Sequence, residues 1–458
     1  MHESVLMYVA THMRESDGPA YMRLVRVLAL GVDSGELRAG TPLPSQRQLA
    51  QHLGLHFTTV TRAYAEAKRR GLIAAQPGRG TTVSTDYQTA LVQDAQSPRP
   101  EIDLASVWPP ALRIPFDLAT ALVALGGENG VALFSERAYR RDPSAIAPAV
   151  QWLQPRFAGT LLNRVATAAG ARAALMALMR LEVGTSGVLL AEEMAWPTIR
   201  VLAAMFDIRV EPVAMDAHGI VPSALEDAML RTGAKALYCV PNAQNPSNAT
   251  MPLERRQAIA DIAERQGLRI FEDDVYGELL EQPVPPIASL APRQTYYIAS
   301  LSKCLSPSLR VAYVVSPSVQ QSRALDDLLR TTMLSPSPIV GALAIQALRD
   351  KSAFRHIARV RAEGRMRAAI AAEILREFRN LITVGPLSIW LRLPAVWTPA
   401  AFVDALAQRG VGILAGDAFA VGEGVSSNAV RIATGSARNQ AELRTALQCV
   451  ADLLGAPP

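Results

Sequence analysis

The sequence contains little cysteine and no long apolar run. Its three cysteines, Cys239, Cys304 and Cys449, are too few and too scattered among 458 residues for a disulfide framework or a zinc site. No stretch approaches the ~18 consecutive apolar residues that a membrane span requires. The N-terminal segment has neither a basic start nor a long apolar run, so it does not resemble a signal peptide. We therefore expect a cytoplasmic protein without a metal site or a membrane partner.

A large excess of charge of one sign is also missing. The formal net charge is +5, with 19% of the residues charged and 50% hydrophobic. This composition allows a large buried core and argues against wholesale disorder. The small positive excess is compatible with nucleic-acid binding but does not establish it. At roughly 150 residues per domain, the length allows about three domains.

Residues 21–83 have the pattern of three helices followed by a hairpin. The first stretch, YMRLVRVLALGVDSGEL, is apolar at helical spacing. A second helix is predicted from the N-cap Ser45 to Gly54, and a third ends at Gly71. Two short β runs around residues 77–80 then predict a hairpin. This order predicts a winged helix-turn-helix, whose recognition helix enters the DNA major groove.

The same segment is rich in basic residues and contains one acidic residue, Glu66, between residues 38 and 79. Its bases are Arg38, Arg47, Arg62, Lys68, Arg69, Arg70 and Arg79. Such a bias is typical of a surface that faces phosphates, although a solvated helix face would show it too.

These segments closely resemble the GntR-type DNA-binding domain over residues 21–83. The resemblance implies DNA contacts from both helices and from the tip of the wing. The residues implied are Arg47, Thr58, Thr59, Arg62, Arg79 and Gly80. Where the family commonly has an arginine before the recognition threonines, this chain has Phe57.

Beyond a predicted linker at residues 85–100, short apolar strands alternate with helical stretches. Examples of the strands are SGVLLAEE, ALYCVPN, LRIFEDD, TYYIAS and RVAYVVS. The alternation predicts an α/β domain over residues 101–458 with a mostly parallel sheet, and a small α+β lobe from about residue 355. The winged helix is assigned to residues 15–84.

Lys303 stands among serines at the end of one of these strands, with Arg310 seven positions later. Lysine forms Schiff bases with aldehydes, provided that its amine is neutral. Pyridoxal 5'-phosphate is the aldehyde cofactor that uses such a lysine. Its pyridine nitrogen needs a carboxylate, which Asp273 or Asp274 supplies, and its phenolic oxygen needs a donor such as Tyr276.

The cofactor's other requirements are met elsewhere in the sequence. Asn245, at a strand end, offers a further donor to the phenolic oxygen, and Trp196 offers a planar partner for the ring. The phosphate needs oriented donors, which a helix start and a cluster of hydroxyls and guanidinium provide. The residues predicted to bind the phosphate are Gly170, Ala171, Arg172, Ser300, Ser302 and Arg310.

The order PxxQNP, EDDxY and SxSKxLxPxxRxxY closely resembles the fold-type I aminotransferases, and most of all the branch fused to a GntR domain, the MocR regulators. The resemblance covers about residues 100–458 and selects Asp273 over Asp274. It implies catalytic or anchoring roles for Lys303, Asp273 and Tyr276, and it aligns Arg431 with the arginine that binds a substrate α-carboxylate. The chain departs from the family at Asn248, where a glycine is usual, and in GPLSIW.

The sequence therefore predicts a homodimeric transcriptional regulator that binds double-stranded operator DNA. Its C-terminal domain would sense a small amino compound through Schiff-base exchange on Lys303, and the small lobe and linker would pass the change to the winged helix. The alternative is a functional aminotransferase with an appended winged helix, so enzymatic turnover is left open. A third interpretation is a DNA-binding protein without a cofactor.

Overall fold

The computed structural model describes residues 2–13, 20–33, 36–37, 40–69, 72–76, 80–83, 100–112, 118–127, 145–422, 425 and 427–456. The chain divides into two compact units, Met1–Arg99 and Pro100–Pro458. The predicted wing residue Arg79 and most of the predicted linker lie outside the described residues.

The N-terminal unit has the predicted helices and hairpin. Its elements are α1 His2–Met13, α2 Ala20–Asp33, α3 Gln46–Leu53, α4 Phe57–Arg69, β1 Ile73–Gln76 and β2 Gly80–Val83. Ser45 caps α3 in a reciprocal pair with Gln48, and Gly54 ends the helix at φ 64°. Helix α1 adds Val5 and Val9 to the same core, so this packed unit begins before residue 15, where the sequence pattern starts it.

The core of the C-terminal unit is a seven-stranded sheet in the order β4-β12-β11-β10-β9-β5-β6. All its strands are parallel except β12, which pairs antiparallel with both neighbours. Their bounds are β4 Val165–Ala168, β5 Val188–Glu192, β6 Arg209–Val213, β9 Ala236–Cys239, β10 Arg269–Asp273, β11 Thr295–Ser300 and β12 Ala312–Val315. The predicted α/β class with a mostly parallel sheet is confirmed.

Helices connect these strands and continue beyond them. Their bounds are α5 Leu118–Gly126, α6 Ala147–Leu153, α7 Ala171–Leu178, α8 Thr198–Ala204, α9 Pro222–Thr232, α10 Leu253–Gln266, α11 Ile287–Leu290, α12 Val319–Thr331 and α13 Pro338–Arg349. A short hairpin, β7 Met215–Asp216 with β8 Gly219–Ile220, precedes α9. Among the described helices, none is long and apolar enough to cross a bilayer.

A smaller lobe follows the long helix α14, Ser352–Ile374. Its sheet has the order β13-β14-β17-β16, and its core also takes in Ile102 and Leu104 from the start of this unit. The bounds are β13 Ile382–Val384, β14 Ile389–Arg392, α15 Pro399–Ala407, β15 Val411–Gly412, β16 Leu414–Ala415, β17 Ala429–Ile432 and α16 Gln440–Gly455, with β3 Ile102–Asp103 paired to β15.

Asn248 connects the two lobes. Its Nδ2 donates to the carbonyl oxygens of Thr383 and Ser388, both at 3.1 Å, and its Oδ1 accepts from the Ser388 hydroxyl at 3.0 Å. The backbone of Asn248 has φ 60°, a conformation that asparagine adopts more readily than most residues. The departure from glycine at this position therefore builds a hydrogen-bonded link onto the β13–β14 hairpin.

Candidate cofactor-binding site

The site lies where the parallel strands end. Strands β4, β5, β9, β10 and β11 run in one direction, so their carboxyl ends meet at one edge of the sheet. Ligands of open α/β sheets bind in the crevice at this edge. The predicted residues follow these ends: Gly170 after β4, Trp196 after β5, Asn245 after β9, Asp273 at the end of β10 and Lys303 after β11.

Lys303 is partly buried beside the N-terminal segment of the unit. Its Nζ donates to the carbonyl oxygen of Val107 at 2.5 Å and lies 4.6 Å from the ring centre of Trp108. Burial, followed by the charges of Arg431 and Arg172, lowers the pKa of Lys303 to about 8, although Asp273 opposes the shift. A larger fraction of the amine is therefore neutral and nucleophilic near physiological pH.

Asp273 presents one free carboxylate oxygen. Its Oδ2 accepts a hydrogen bond from the Tyr238 hydroxyl at 3.1 Å, whereas its buried Oδ1 has no hydrogen-bond partner. Burial raises the pKa of Asp273 to about 7; the Tyr238 hydrogen bond and the charge of Lys303 act against this, and Asp274 adds to it. A buried oxygen without a partner is costly, so this one suits a donor supplied by a ligand.

Asp274 is fully engaged in the protein. Its Oδ1 accepts from Asn242 Nδ2 at 2.7 Å and its Oδ2 accepts from the Tyr297 hydroxyl at 2.6 Å. Arg256 in turn donates to Asn242 Oδ1 at 2.6 Å. Of the two carboxylates that the residue pattern leaves open, the geometry therefore favours Asp273 as the one that meets a ligand.

Two arginines converge at the start of helix α7. Gly170 precedes the helix with φ 88°, a conformation open to glycine. The exposed guanidinium of Arg172 lies 5.1 Å from the ring centre of Trp196, and loss of hydration and then the charge of Arg310 lower its pKa. Two like charges beside a helix N-terminus form a site suited to an anion such as a phosphate.

The predicted serines shape the loop that carries Lys303. The backbone N–H of Ser302 donates to Ser300 Oγ at 3.2 Å, and the Ser300 hydroxyl lies 3.3 Å from the carbonyl oxygen of Val311. The Ser302 hydroxyl lies 3.4 Å from the carbonyl oxygen of Leu309. Both hydroxyls therefore bind the loop itself, and Arg310 at its end is exposed.

Arg431 lies on β17, in the small lobe, and is almost fully buried. One guanidinium nitrogen donates to Asn245 Oδ1 at 2.9 Å, another donates to the carbonyl oxygen of Ala105, and Nε has no partner. Burial lowers the pKa of Arg431 to about 10, and nearby Tyr276 opposes this. Tyr276 is itself buried, which raises its pKa to about 12.

Residues 105–108, which we call the strap, cross the site. Their carbonyl oxygens accept hydrogen bonds from Arg431 and from Lys303, at Ala105 and Val107 respectively. The strap thus contacts two of the cations that the sequence assigns to ligand binding, one from each lobe.

The strap is anchored to the turn after β17. Ser436 Oγ donates to the carbonyl oxygen of Ser106 and lies 3.1 Å from the backbone N–H of Trp108, which donates to it. A Cβ added at Gly435 would collide with the carbonyl oxygen of Trp108, so the close approach requires glycine there.

The strap, Tyr238 and Glu192 are parts of the site that sequence reasoning missed. Glu192 is fully buried, and burial raises its pKa to about 8, with Asp273 among its charged neighbours. Tyr238 had a signal: a tyrosine in a fully buried strand needs a partner for its hydroxyl. The strap had none, because its contacts are made to residues about 200 to 330 positions away.

The predicted DNA-contacting residues lie on the first unit. Arg47, Thr58 and Arg62 are exposed, and Thr59 is half-buried. Arg62 lies with its guanidinium 4.0 Å from the ring centre of Tyr21. Gly80 begins β2.

Known protein families match both parts of the chain. Residues 144–450 match the family "Aminotransferase class I and II", and residues 21–83 match "Bacterial regulatory proteins, gntR family". A protein of Bacillus subtilis (strain 168) named "Uncharacterized HTH-type transcriptional regulator YdeF" is 27% identical over 446 residues, covering 96% of this chain and 95% of that protein. The vitamin B6 salvage pathway transcriptional repressor PtsJ of Salmonella typhimurium is 26% identical, covering 94% and 97%.

A solved structure shares the fold of the C-terminal unit. LysN, the α-aminoadipate aminotransferase from Thermus thermophilus, is 21% identical with a TM-score of 0.70, covering 86% of this chain and 98% of that chain. Since the first family match spans more than half of the chain, the chain belongs to the class I and II aminotransferases and carries a gntR-family domain at its N-terminus, which is the architecture of MocR-type regulators.

Proposed function

We propose that the chain is a DNA-binding transcriptional regulator that holds pyridoxal 5'-phosphate on Lys303 and responds to a small amino compound. One observation supports this most: the partly buried amine of Lys303, with its pKa lowered to about 8, lies close enough to Asp273, whose Oδ1 is free, and to the buried guanidinium of Arg431 for both charges to shift that pKa. The relatives YdeF and PtsJ are named as transcriptional regulators.

The residues present fit the cofactor. The unpartnered Oδ1 of Asp273 suits a protonated pyridine nitrogen, and the N-terminus of α7 with Arg172 and Arg310 suits the phosphate. Ser300 and Ser302 add hydroxyls for the phosphate, and Trp196 offers a ring face to the pyridine. Asn245 and Tyr276 offer donors to the phenolic oxygen. The LysN structure contains a phosphopyridoxyl-leucine, which supports the same cofactor in this fold.

Pyridoxal phosphate supplies an aldehyde carbon that condenses reversibly with primary amines. Lys303 is the amine that an effector has to replace, and its lowered pKa keeps it competent for that exchange. Arg431 is placed to pair with an effector carboxylate through its fork of donors. An effector carboxylate that replaces the present contacts of Arg431 with Ala105 and Asn245 would couple effector binding to the strap.

We further propose that the protein acts as a homodimer on operator DNA, because a two-fold pair of winged helices matches two half-sites. A functional aminotransferase is the second candidate. The presence of both Lys303 and Asp273 favours it, since these residues also support turnover in the family to which the chain belongs.

A titration of the cofactor-loaded protein with a panel of amines and amino acids tests the proposal. We expect at least one compound to change the visible absorbance and, at the same concentration, the affinity for a duplex selected from a random DNA pool, without release of a 2-oxo acid. Repeated turnover with a 2-oxo acid acceptor and no change in DNA affinity would favour the enzyme. The Arg62→Ala variant should lose DNA affinity and keep the absorbance response.

Replacing Tyr238 with phenylalanine should raise the pKa of Asp273 above about 7, because the lost hydroxyl is a donor that stabilises the ionised carboxylate. Asp273 then keeps its proton to higher pH. We expect cofactor affinity, measured by equilibrium titration, to fall most between about pH 6 and 8 and to recover at higher pH. Tyr313→Phe is the matched control, since that buried hydroxyl has no partner. A loss equal at every pH would assign Tyr238 to packing alone.

A further inference from the structure

The exposed face of helix α4 has an unusual composition at its N-terminal end. The helix packs on the core through Val60, Ala63, Tyr64 and Ala67. Its exposed residues recur at helical spacing and form one stripe: Phe57, Thr58, Thr61, Arg62, Ala65 and Lys68. The stripe thus runs from an aromatic ring through hydroxyls to two cations.

Phe57 is the large apolar side chain on this stripe. Its side chain is 44% exposed, and it occupies the first position of the helix. A phenylalanine loses a favourable burial energy when it stays in water, so this one suits an apolar partner. The surrounding charge indicates which kind: Arg62, Lys68 and the exposed Arg47 of α3 favour a polyanion.

The hydroxyls of Thr58 and Thr61, next to Phe57 on the stripe, already have polar partners within the protein. Thr61 Oγ1 lies 2.9 Å from Gln46 Oε1 and 3.0 Å from the carbonyl oxygen of Phe57, so its single hydrogen has acceptors within the protein. Thr58 Oγ1 lies 2.8 Å from His56 Nδ1. The ring of Phe57 is therefore the group in the first turn of α4 that is exposed and makes no polar contact of its own.

We propose that Phe57 recognises the 5-methyl group of a thymine in the major groove of the operator. The first residues of a recognition helix meet base edges, and a phenylalanine has no donor or acceptor with which to read their polar atoms. The thymine methyl is the apolar feature of that groove. This inference rests on the proposed DNA-binding function and assigns a base preference to the position where the family commonly has an arginine.

The test removes the methyl group and the ring separately. The full-length, cofactor-loaded protein selects duplexes from a random DNA pool, and each thymine of the tightest duplex is then replaced by uracil, which lacks the methyl but pairs alike. We expect a symmetric pair of positions at which the affinity falls about fourfold per half-site, the value for a buried group worth ~0.8 kcal/mol. Phe57→Ala should lose that sensitivity and bind the thymine and uracil duplexes equally.

Phe57→Leu is the matched control, because it shortens the side chain but remains apolar, and it should keep part of the methyl sensitivity. The exposed position makes all three proteins comparable in stability, which thermal unfolding checks. Two results would overturn the assignment of Phe57 and leave the DNA-binding function standing. One is that Phe57→Ala keeps the same uracil-sensitive positions, and the other is that the selected duplex has no such positions. Failure to select any duplex would overturn the DNA-binding function together with it.

Discussion

Replacing Lys303 with alanine is expected to abolish covalent attachment of pyridoxal phosphate and the response to amino compounds. Lys303 is the amine that lies beside Asp273 and Arg431 with its pKa lowered to about 8, so a distant lysine cannot take its place. After borohydride reduction, peptide mass mapping should find a pyridoxyl adduct on Lys303 in the wild type and on no peptide of the variant. DNA affinity without effector should stay within about twofold, since the substitution changes no residue that is predicted to contact DNA and no effector is bound to alter that affinity.

Lys235→Ala provides the matched control, because Lys235 is exposed and should leave both the adduct and the response intact. If an amino compound still changes DNA affinity in Lys303→Ala, sensing does not pass through this lysine. An adduct found on another residue in the wild type would remove the basis of both the sensor and the enzyme.

Asparagine substitutions at Asp273 and Asp274 should differ strongly in their effect on cofactor affinity. Asp273→Asn removes the charge that faces a protonated ring nitrogen, and we expect cofactor affinity to fall by roughly a hundredfold or more, as for one partner of a buried ion pair, about 3 kcal/mol. Asp274→Asn should change the affinity much less, because both of its oxygens are bound to Asn242 and Tyr297.

The stability of the cofactor-free protein should follow the reverse order. Asp274→Asn replaces one of two acceptor oxygens with an NH2 donor that faces the donors Asn242 and Tyr297, and it should lower the free energy of unfolding by about 1–3 kcal/mol. The pKa of Asp273 is raised from 3.8 to about 7 in the folded chain. Its carboxyl group therefore contributes fully to stability below pH 3.8, and this contribution is lost as the pH rises through about 7. Asp273→Asn should therefore stabilise the folded chain above neutral pH. Urea unfolding at several pH values measures both effects; equal losses of cofactor in the two variants would contradict the assignment.

The local parts of this structure could be predicted from sequence because they depend on short patterns. The buried strands are apolar runs that end in turns; Asp273 is the last residue of one of them, and Lys303 lies three residues beyond the end of another. The cap at Ser45 and the stop at Gly54 fix helix α3 in the same way. These features require no knowledge of distant residues.

The remaining features depend on contacts between distant residues, which no periodicity reveals. The pairing of β3 with β15 joins residues about 310 positions apart. The hydrogen bond from Tyr238 selects which oxygen of Asp273 stays free, and its partner is 35 positions along the chain. Helix α1 joins the winged-helix core although the pattern of the domain starts after it.

The link between Asn248 and the β13–β14 hairpin constrains two positions at once. A Cβ at Gly385 would collide with Asn248 Oδ1, so any side chain there would displace the amide from Thr383 and Ser388. Conversely, a glycine at 248 would remove the side-chain donor to both carbonyl oxygens and leave the Ser388 oxygen with the Gly385 backbone N–H. Relatives that share this hairpin should therefore covary at these two sites, with asparagine at the first accompanied by glycine at the second.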